Sequence, residues 1–253
     1  MVDPGDFTIK STALSFDIIQ YVQEANGATL SEIVDEYQKP KSTLHGHLST
    51  LEELGYLTRE GQTYHVSIRF LNLGGKARSR SDLYSVAEDE VRNLAFETGE
   101  HANLMVEYNG LGIFLIKQKG PDSVRLDTYE GMEVHLHTTA MGKAILAEMS
   151  DGKREQIIDE HGLPAVTENT ITDRAELESE LDDIRERGYA TDNEERVQGI
   201  RCVATSITTD DEVVGAVSIS APRSRMSGDR FTDEFPSKIQ STANIIEVNL
   251  QHG

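Results

Sequence analysis

The stretch that decides the fold is Thr29–Ser67, TLSEIVDEYQKPKSTLHGHLSTLEELGYLTREGQTYHVS. It opens with Thr29-Leu-Ser-Glu32, a capping-box pattern in which threonine and glutamate satisfy each other's helix-start donors. Leu30, Ile33, Val34 and Tyr37 then follow the i, i+3, i+4, i+7 spacing of one helix face. Gln38-Lys39 makes a short turn, and Pro40 fits the first turn of a following helix, where its missing N–H breaks no hydrogen bond. That second helix turns Leu44, Leu48, Leu51 and Leu54 inward, and Gly55 stands where a helix end takes a left-handed residue. Tyr56–Arg59 and Thr63–Val66 flank Glu60-Gly61-Gln62, which reads as a hairpin with a glycine-containing loop. Two helices, a tight turn and a hairpin make a winged helix-turn-helix, whose second helix is the one that enters a DNA major groove.

The pattern extends in both directions. Upstream, Ser11–Ala25 carries Leu14, Ile18, Ile19 and Val22 as a helical stripe, and Asn26-Gly27 breaks it. Downstream, Ile68–Arg80 reads as a connecting helix loosened at Gly74-Gly75, with Phe70, Leu71 and Leu73 apolar and Lys76, Arg78 and Arg80 basic. Asp82–Thr98 is an amphipathic helix carrying Leu83, Val86, Val91, Leu94 and Phe96. After Gly99 the period changes, and strands are predicted at Ala102–Tyr108, Gly112–Gln118 and Val124–Tyr129. Helices follow at Thr139–Met149, Asp151–His161 and Asp173–Gly188, then strands at Val203–Thr208 and Val213–Ser220, and a closing helix at Asp233–Leu250. Strands with helices at both ends predict an α+β fold. The expected division is a winged helix-turn-helix over 8–67, a linker helix over 68–81 and a sheet-based domain over 82–253.

Composition sets the limits on function. No apolar run approaches the about 18 residues that span a bilayer. Met1–Lys10 lacks a basic segment followed by an apolar one, so no signal peptide and a cytoplasmic protein are expected. The single cysteine, Cys202, fits a reducing compartment and excludes a cysteine-only metal site. The net charge is −20, against the usual basicity of nucleic-acid binders. Its distribution relieves the conflict. Residues 1–80 hold 8 Lys/Arg against 10 Asp/Glu, whereas residues 81–253 hold 16 against 34. Acidity with arginine in excess of lysine resembles proteins of salt-loving organisms. There, screening shortens the Debye length to about 3 Å at 1 M salt, and phosphate contacts contribute less to affinity.

With the leucines buried, the second helix leaves Lys41, Ser42, Thr43, His45, Gly46, His47 and Ser49 toward solvent. Serine, threonine and histidine can reach phosphates or bases. Lys39 and Lys41 sit at the helix N-terminus, where exposed N–H groups attract phosphate, and Arg59 in the wing can reach the backbone or the minor groove. The alternative for the same pattern is a metabolite-binding protein or enzyme whose winged helix contacts protein rather than DNA.

Lys10–Gly75 resembles the DNA-binding domain of IclR-type regulators. The resemblance continues through LHTTAMGKAILA (Leu136–Ala147), LPAVTENTITD (Leu163–Asp173), RERGYATDNEERVQGIRCVA (Arg185–Ala204) and GAVSISAPRSRM (Gly215–Met226). It implies a linker helix and a GAF-like antiparallel-sheet effector domain. It also implies homodimers, or dimers of dimers, on palindromic operators in double-stranded DNA near metabolic promoters. Two residues depart from the family pattern. Gly46 follows His45 where relatives often carry arginine, and Gln38 replaces the usual turn glycine.

The expected effector is a small carboxylate or sugar acid, with no cofactor. Thr138–Gly142 opens a helix, and free N–H groups with small side chains there can hold an anion. Strand alternation puts Ser218 and Ser220 on one face, opposite Val217 and Ile219. Asp192 and Cys202 match the family's ligand-contacting positions, with Asp192 accepting from a ligand hydroxyl or a water. Thr139, Ala140, Met141 and Gly142 join them, and Leu126, Val134, Met141 and Ile200 would form an apolar wall. The same residues offer two further readings. His135 and His137 on one strand face could bind zinc with Cys202 or Asp192, but the HxH pattern lacks a fixed third ligand. A Cys202-based hydrolase has no supporting motif. Arg196, Arg201, Arg223 and Arg225 read as ion-pair partners of the acidic surface.

Overall fold

The computed structural model describes residues 8–210 and 212–252; the leader reading falls largely on residues 1–7, outside them. The chain divides into two compact units, 1–77 and 78–253.

In the first unit, α1 (Lys10–Glu24), α2 (Leu30–Tyr37) and α3 (Lys41–Glu53) surround one core. Leu14, Ile18, Val22, Ile33, Leu44, Leu48, Leu51, Leu57 and Tyr64 fill it. The capping box forms: Glu32 N–H donates to Thr29 Oγ1, and the Thr29 N–H donates to Glu32 Oε2 at 2.7 Å. Gln38 ends α2 in the left-handed region, at φ 49°. A side chain there costs on the order of 1–2 kcal/mol. Its amide Nε2 donates to Asp35 O at 2.6 Å, which offsets part of that cost. Pro40 caps α3 rather than occupying its first turn. Leu54, expected inward, is exposed beyond the end of the helix. The wing is β2 (Leu57–Glu60) and β3 (Thr63–Val66), and a two-residue β1 (Ala28–Thr29) adds to β3, giving the order β1-β3-β2. Helix α4 (Phe70–Arg78) runs unbroken through Gly74-Gly75, where loosening was expected. Its hydrogen-bonded turns continue without help from side chains at those two positions.

The second unit is an antiparallel sheet of six strands: β4 (His101–Tyr108), β5 (Leu111–Lys119), β6 (Glu133–His135), β7 (Ala190–Asn193), β8 (Ile200–Thr209) and β9 (Glu212–Pro222). Their order is β6-β5-β4-β9-β8-β7. Side chains alternate between its faces. Leu104, Ile116, Val203, Val217 and Ile219 pack with α5 (Asp82–Thr98) and α9 (Phe235–His252). Met105, Phe114, Ala190, Ala204 and Ala216 pack with α6 (Ala140–Glu148), α7 (Asp151–His161) and α8 (Arg174–Arg187). Phe96, read as part of the buried stripe of α5, is exposed.

The expected strand at Val124–Tyr129 is irregular chain between β5 and β6. The place beside β5 is taken by β6, which pairs Leu111 with His135 and Gly112 with Val134. β6 and β7 are too short for periodicity to reveal. His135 ends β6 and His137 lies in the following 3-10 turn, Leu136–Thr138, so the two are not on one strand face.

Candidate functional site

Helix α3 presents two kinds of surface. Leu44, Leu48 and Leu51 face the core. Lys39, Lys41, Ser42, Thr43, His45 and Gly46 are exposed, as is Arg59 in the wing, while Ser49 and His47 are half-buried. Ser49 Oγ lies 3.4 Å from His45 Nδ1, so these two form one polar patch. His47 is committed elsewhere, since its Nδ1 lies 2.7 Å from Ser15 Oγ on α1. Ser42, Thr43, Gly46 and His47 all border an apolar groove with Phe16, Ile19, Leu54 and Phe70. A Cβ built on Gly46 meets nothing within 4 Å, so close packing does not require glycine there. Arg59 stacks over Tyr64 at 5.4 Å and donates to Gly61 O at 3.0 Å, which holds it to the wing.

The second site is a cavity between the sheet and the start of α6. Strand register builds its floor: Asn103 pairs with Ser218, and Cys202 pairs with both Asp192 and Ser220. The Asn103 amide Nδ2 donates to Ser218 Oγ and Ser220 Oγ, each at 3.2 Å. Both serines are buried, so they lie on the inner face rather than on a solvent face. Thr139 caps α6, accepting the Gly142 N–H at 2.9 Å, and Ala140 and Met141 lie beside it on the cavity wall. The first-turn amides of a helix have no intrahelical acceptor, so those of Ala140 and Met141 can meet an anion.

Of the eleven residues expected at the effector site, Leu126, Thr139, Ala140, Met141, Asp192, Ile200, Cys202, Ser218 and Ser220 line this cavity. Val134 and Gly142 do not. Val134 packs in the hydrophobic core. A Cβ on Gly142 would fall 2.0 Å from Leu136 O, so that glycine serves a close backbone approach rather than ligand contact. The reading missed Asn103, Phe114, Asp127, Thr128, Arg196 and Val197. Alternation and pairing would have placed Asn103 and Phe114 once the register was known. The remaining four lie outside the regular strands.

Electrostatics revises the role of Asp192. It is almost wholly buried and accepts the Glu195 N–H at 2.7 Å. Burial, then the neighbouring Glu195, push its carboxyl up to about 7. Near neutral pH a large share of its carboxyl is in the protonated form, which can donate a hydrogen bond to a ligand, where only an acceptor was expected. Behind it, buried Lys143 donates to both oxygens of Glu195 at 2.8 Å, with Glu180 at 3.6 Å. Burial holds the Cys202 thiol well above its usual range, so it stays neutral, unlike a hydrolytic nucleophile. His135 and His137 line a different pocket with His161, and no group of three or more potential metal ligands forms among the described residues. Arg223 pairs with Glu194 at 3.0 Å and Arg225 with Glu100 at 2.7 Å. Arg201 departs from that expectation, donating instead to Asn193 Oδ1 and Met226 O.

A winged helix-turn-helix head followed by a sheet domain whose cavity has apolar walls and a floor of polar groups defines a transcription regulator with an effector domain. The chain belongs to the IclR family of transcriptional regulators. The IclR helix-turn-helix domain matches residues 13–61, and the bacterial transcriptional regulator IclR C-terminal domain matches residues 75–248. The chain is 34% identical over 248 residues to the probable HTH-type transcriptional regulator ArcR of Halobacterium salinarum, covering 96% of this chain and 94% of the relative. It superimposes on the IclR regulator of Alicyclobacillus acidocaldarius with a TM-score of 0.81 and 25% identity, over 96% and 99% of the two chains. An IclR homologue from Microbacterium hydrocarbonoxydans, complexed with 4-hydroxybenzoate, shares the fold with a TM-score of 0.74 at 22% identity, over 90% and 92%.

Proposed function

We propose that this chain controls a metabolic operon by binding a palindromic operator as a homodimer or dimer of dimers, under control of a small organic acid or sugar acid. The observation that carries the reading is the cavity. Its polar groups, Asn103, Ser218, Ser220, Asp192 and the start of α6, converge on one enclosed space, the arrangement that orients a small polar ligand. The fold relative complexed with 4-hydroxybenzoate supports a carboxylate there. The exposed polar patch of α3 supports DNA contact by Lys39, Lys41, Ser42, His45, Gly46 and Ser49, with Arg59 on the flanking backbone. The acidity of the second unit supports a cytoplasm rich in salt. No helix among the described residues is long and apolar enough to cross a membrane.

The test is a mobility-shift titration of the full chain on DNA from upstream of its own gene, across salt concentrations, with and without a panel of organic acids. Specific retardation that one acid changes is the expected result. Absence of specific binding at every salt concentration, with and without the acids, would replace this reading with one in which the head contacts protein.

A further inference from the structure

Arg196 is the single permanent cation among the described residues that line the cavity. Its setting is unusual for an arginine. The side chain is 12% exposed, and its guanidinium lies over the Phe114 ring at 5.9 Å. A guanidinium carries five N–H donors in a fork that matches a carboxylate. Its side-chain hydrogen bond here goes to a sulfur, Met132 Sδ at 3.4 Å. Among the described residues one carboxylate lies within 4.0 Å of it. That is Asp127, whose Oδ1 stands at 3.7 Å, too far for a hydrogen bond. The Asp127 side chain is 66% exposed, so this pair sits at the mouth, while the Asn103–Ser218–Ser220 cluster is buried beneath.

We propose that Arg196 is the carboxylate anchor of the effector cavity and that Asp127 is a latch which the effector's carboxylate displaces. The inference rests on the effector reading above. An entering carboxylate supplies the two oxygen acceptors that the guanidinium lacks. The hydroxyl or oxo groups of the same molecule then meet the serine hydroxyls and the Asp192 carboxyl. Leu126, Met141, Val197 and Ile200 limit the size of its body. Entry requires movement. The free volume is ≈ 30 Å³, room for about one water. The irregular segment between β5 and β6 carries Leu126, Asp127 and Thr128 on the cavity wall. Breaking the Asp127–Arg196 attraction removes the tie at the mouth and loosens that wall, whose other ties are Lys117 Nζ to Thr128 O and Oγ1 and His101 Nε2 to Val124 O.

Cys202 supplies the readout, being the chain's one cysteine and part of the cavity lining. Its labelling by iodoacetamide in the full chain is followed by mass spectrometry. Asp127→Asn speeds labelling roughly two- to fivefold without any ligand, the scale of one partly exposed ion pair. Glycerate, pyruvate and 4-hydroxybenzoate are then compared with their primary amides. In the wild type at least one acid slows labelling and its amide does not. In Arg196→Gln the acid concentration needed for protection rises roughly ten- to hundredfold, the scale of a charged hydrogen bond. Arg196→Lys, which keeps the charge and loses the fork, falls between and guards against misfolding of the glutamine variant. Unchanged labelling in Asp127→Asn overturns the latch. An acid that protects Arg196→Gln as well as wild type, or an amide as effective as its acid, overturns the anchor alone. Failure of every acid to protect the wild type overturns the effector reading beneath both.

Discussion

Gly46 sits in the middle of α3, on the face turned away from the core, where it interrupts an otherwise helix-forming run. Nothing lies within 4 Å of a Cβ built there, and its φ is not in the left-handed region. Replacing it should therefore remove the glycine entropy cost without steric strain. Gly46→Ala gains about 0.8–1.0 kcal/mol of helix stability, and Gly46→Arg slightly less. Hydrogen exchange of the α3 amides should slow by roughly fivefold in Gly46→Ala, the equivalent of about 1 kcal/mol in local opening. The two variants part on DNA. Each phosphate neutralised adds about 0.9 to the slope of log K against log salt. One new arginine on each head of the proposed dimer therefore steepens it by about 1.8, and alanine leaves it unchanged. Between 50 and 200 mM salt that difference is about twelvefold in affinity. Fluorescence anisotropy on a non-specific duplex measures all three slopes, and the wild-type value should lie below about 8, fewer than about 9 phosphates. If Gly46→Arg leaves the slope at the wild-type value while stabilising the helix, this face of α3 does not meet DNA and the reasoning fails.

Two further outcomes follow from the buried charges. Lys143→Met leaves the Glu195 carboxylate buried without its cation and should cost about 3–5 kcal/mol in denaturant unfolding, whereas Lys143→Met with Glu195→Gln should recover most of it. If the single variant is as stable as wild type, the pair does not hold α6 in place. Asp192 has a raised folded-state value, so its contribution is fully present below its unfolded value near 4 and is lost as pH rises toward about 7. Asp192→Asn cannot ionise and retains the amide oxygen that accepts the Glu195 N–H. Its stability advantage over wild type should grow from pH 5 to pH 8 and then level off. The lowered values of His101, His135 and His137 act in the opposite direction, favouring the folded state above about 6.5, and cancel in this comparison because both proteins carry them. A gap that stays constant with pH would mean that Asp192 is ionised throughout.

Much of this fold was legible because its elements carry strong local signals. The capping box at Thr29–Glu32, the leucines of α3 and the glycine at the hairpin turn each specify local geometry. The helices of the second unit were found within a residue or two; α5, α8 and α9 each bury one stripe, and α6 is an unbroken buried run from Ala140 to Ala147. The failures lie elsewhere. Leu54 continues an apolar pattern past the end of α3, and Phe96 lies off the face of α5 that Leu83, Ala87, Val91, Leu94, Ala95 and Thr98 bury. Val124–Tyr129 alternates like a strand, and its side chains do alternate in burial, but the edge of β5 is already occupied. Which residues meet across a sheet depends on register, and register is a property of two strands rather than one. That is why Ser218 and Ser220 could be read as a pair while their partner Asn103 could not. Arg196 does meet an acidic partner at the surface, Asp127 at 3.7 Å, as expected of an arginine in an acidic sequence, and only geometry shows that it also lines the cavity.

The burial of Asp192 looks like a defect if the cavity is considered empty, since an ionised carboxylate there is disfavoured by its surroundings. It makes better sense as part of a charge balance. Lys143 and Glu195 neutralise each other behind the cavity wall, and Asp127 offsets Arg196 at the mouth. Asp192 remains, and near neutrality its protonation leaves the interior close to uncharged. An anion that has displaced Asp127 from Arg196 then meets an interior whose one remaining acid, Asp192, is partly neutralised. Its own charge would hold Asp192 protonated to still higher pH, because like charges in one site favour the neutral form. The proton that makes Asp192 a hydrogen-bond donor is thus retained by the ligand it would contact. A carboxylate accepting that bond while seated on Arg196 would use both features that an empty cavity leaves unfavourable, the partly protonated acid and the guanidinium without oxygen acceptors.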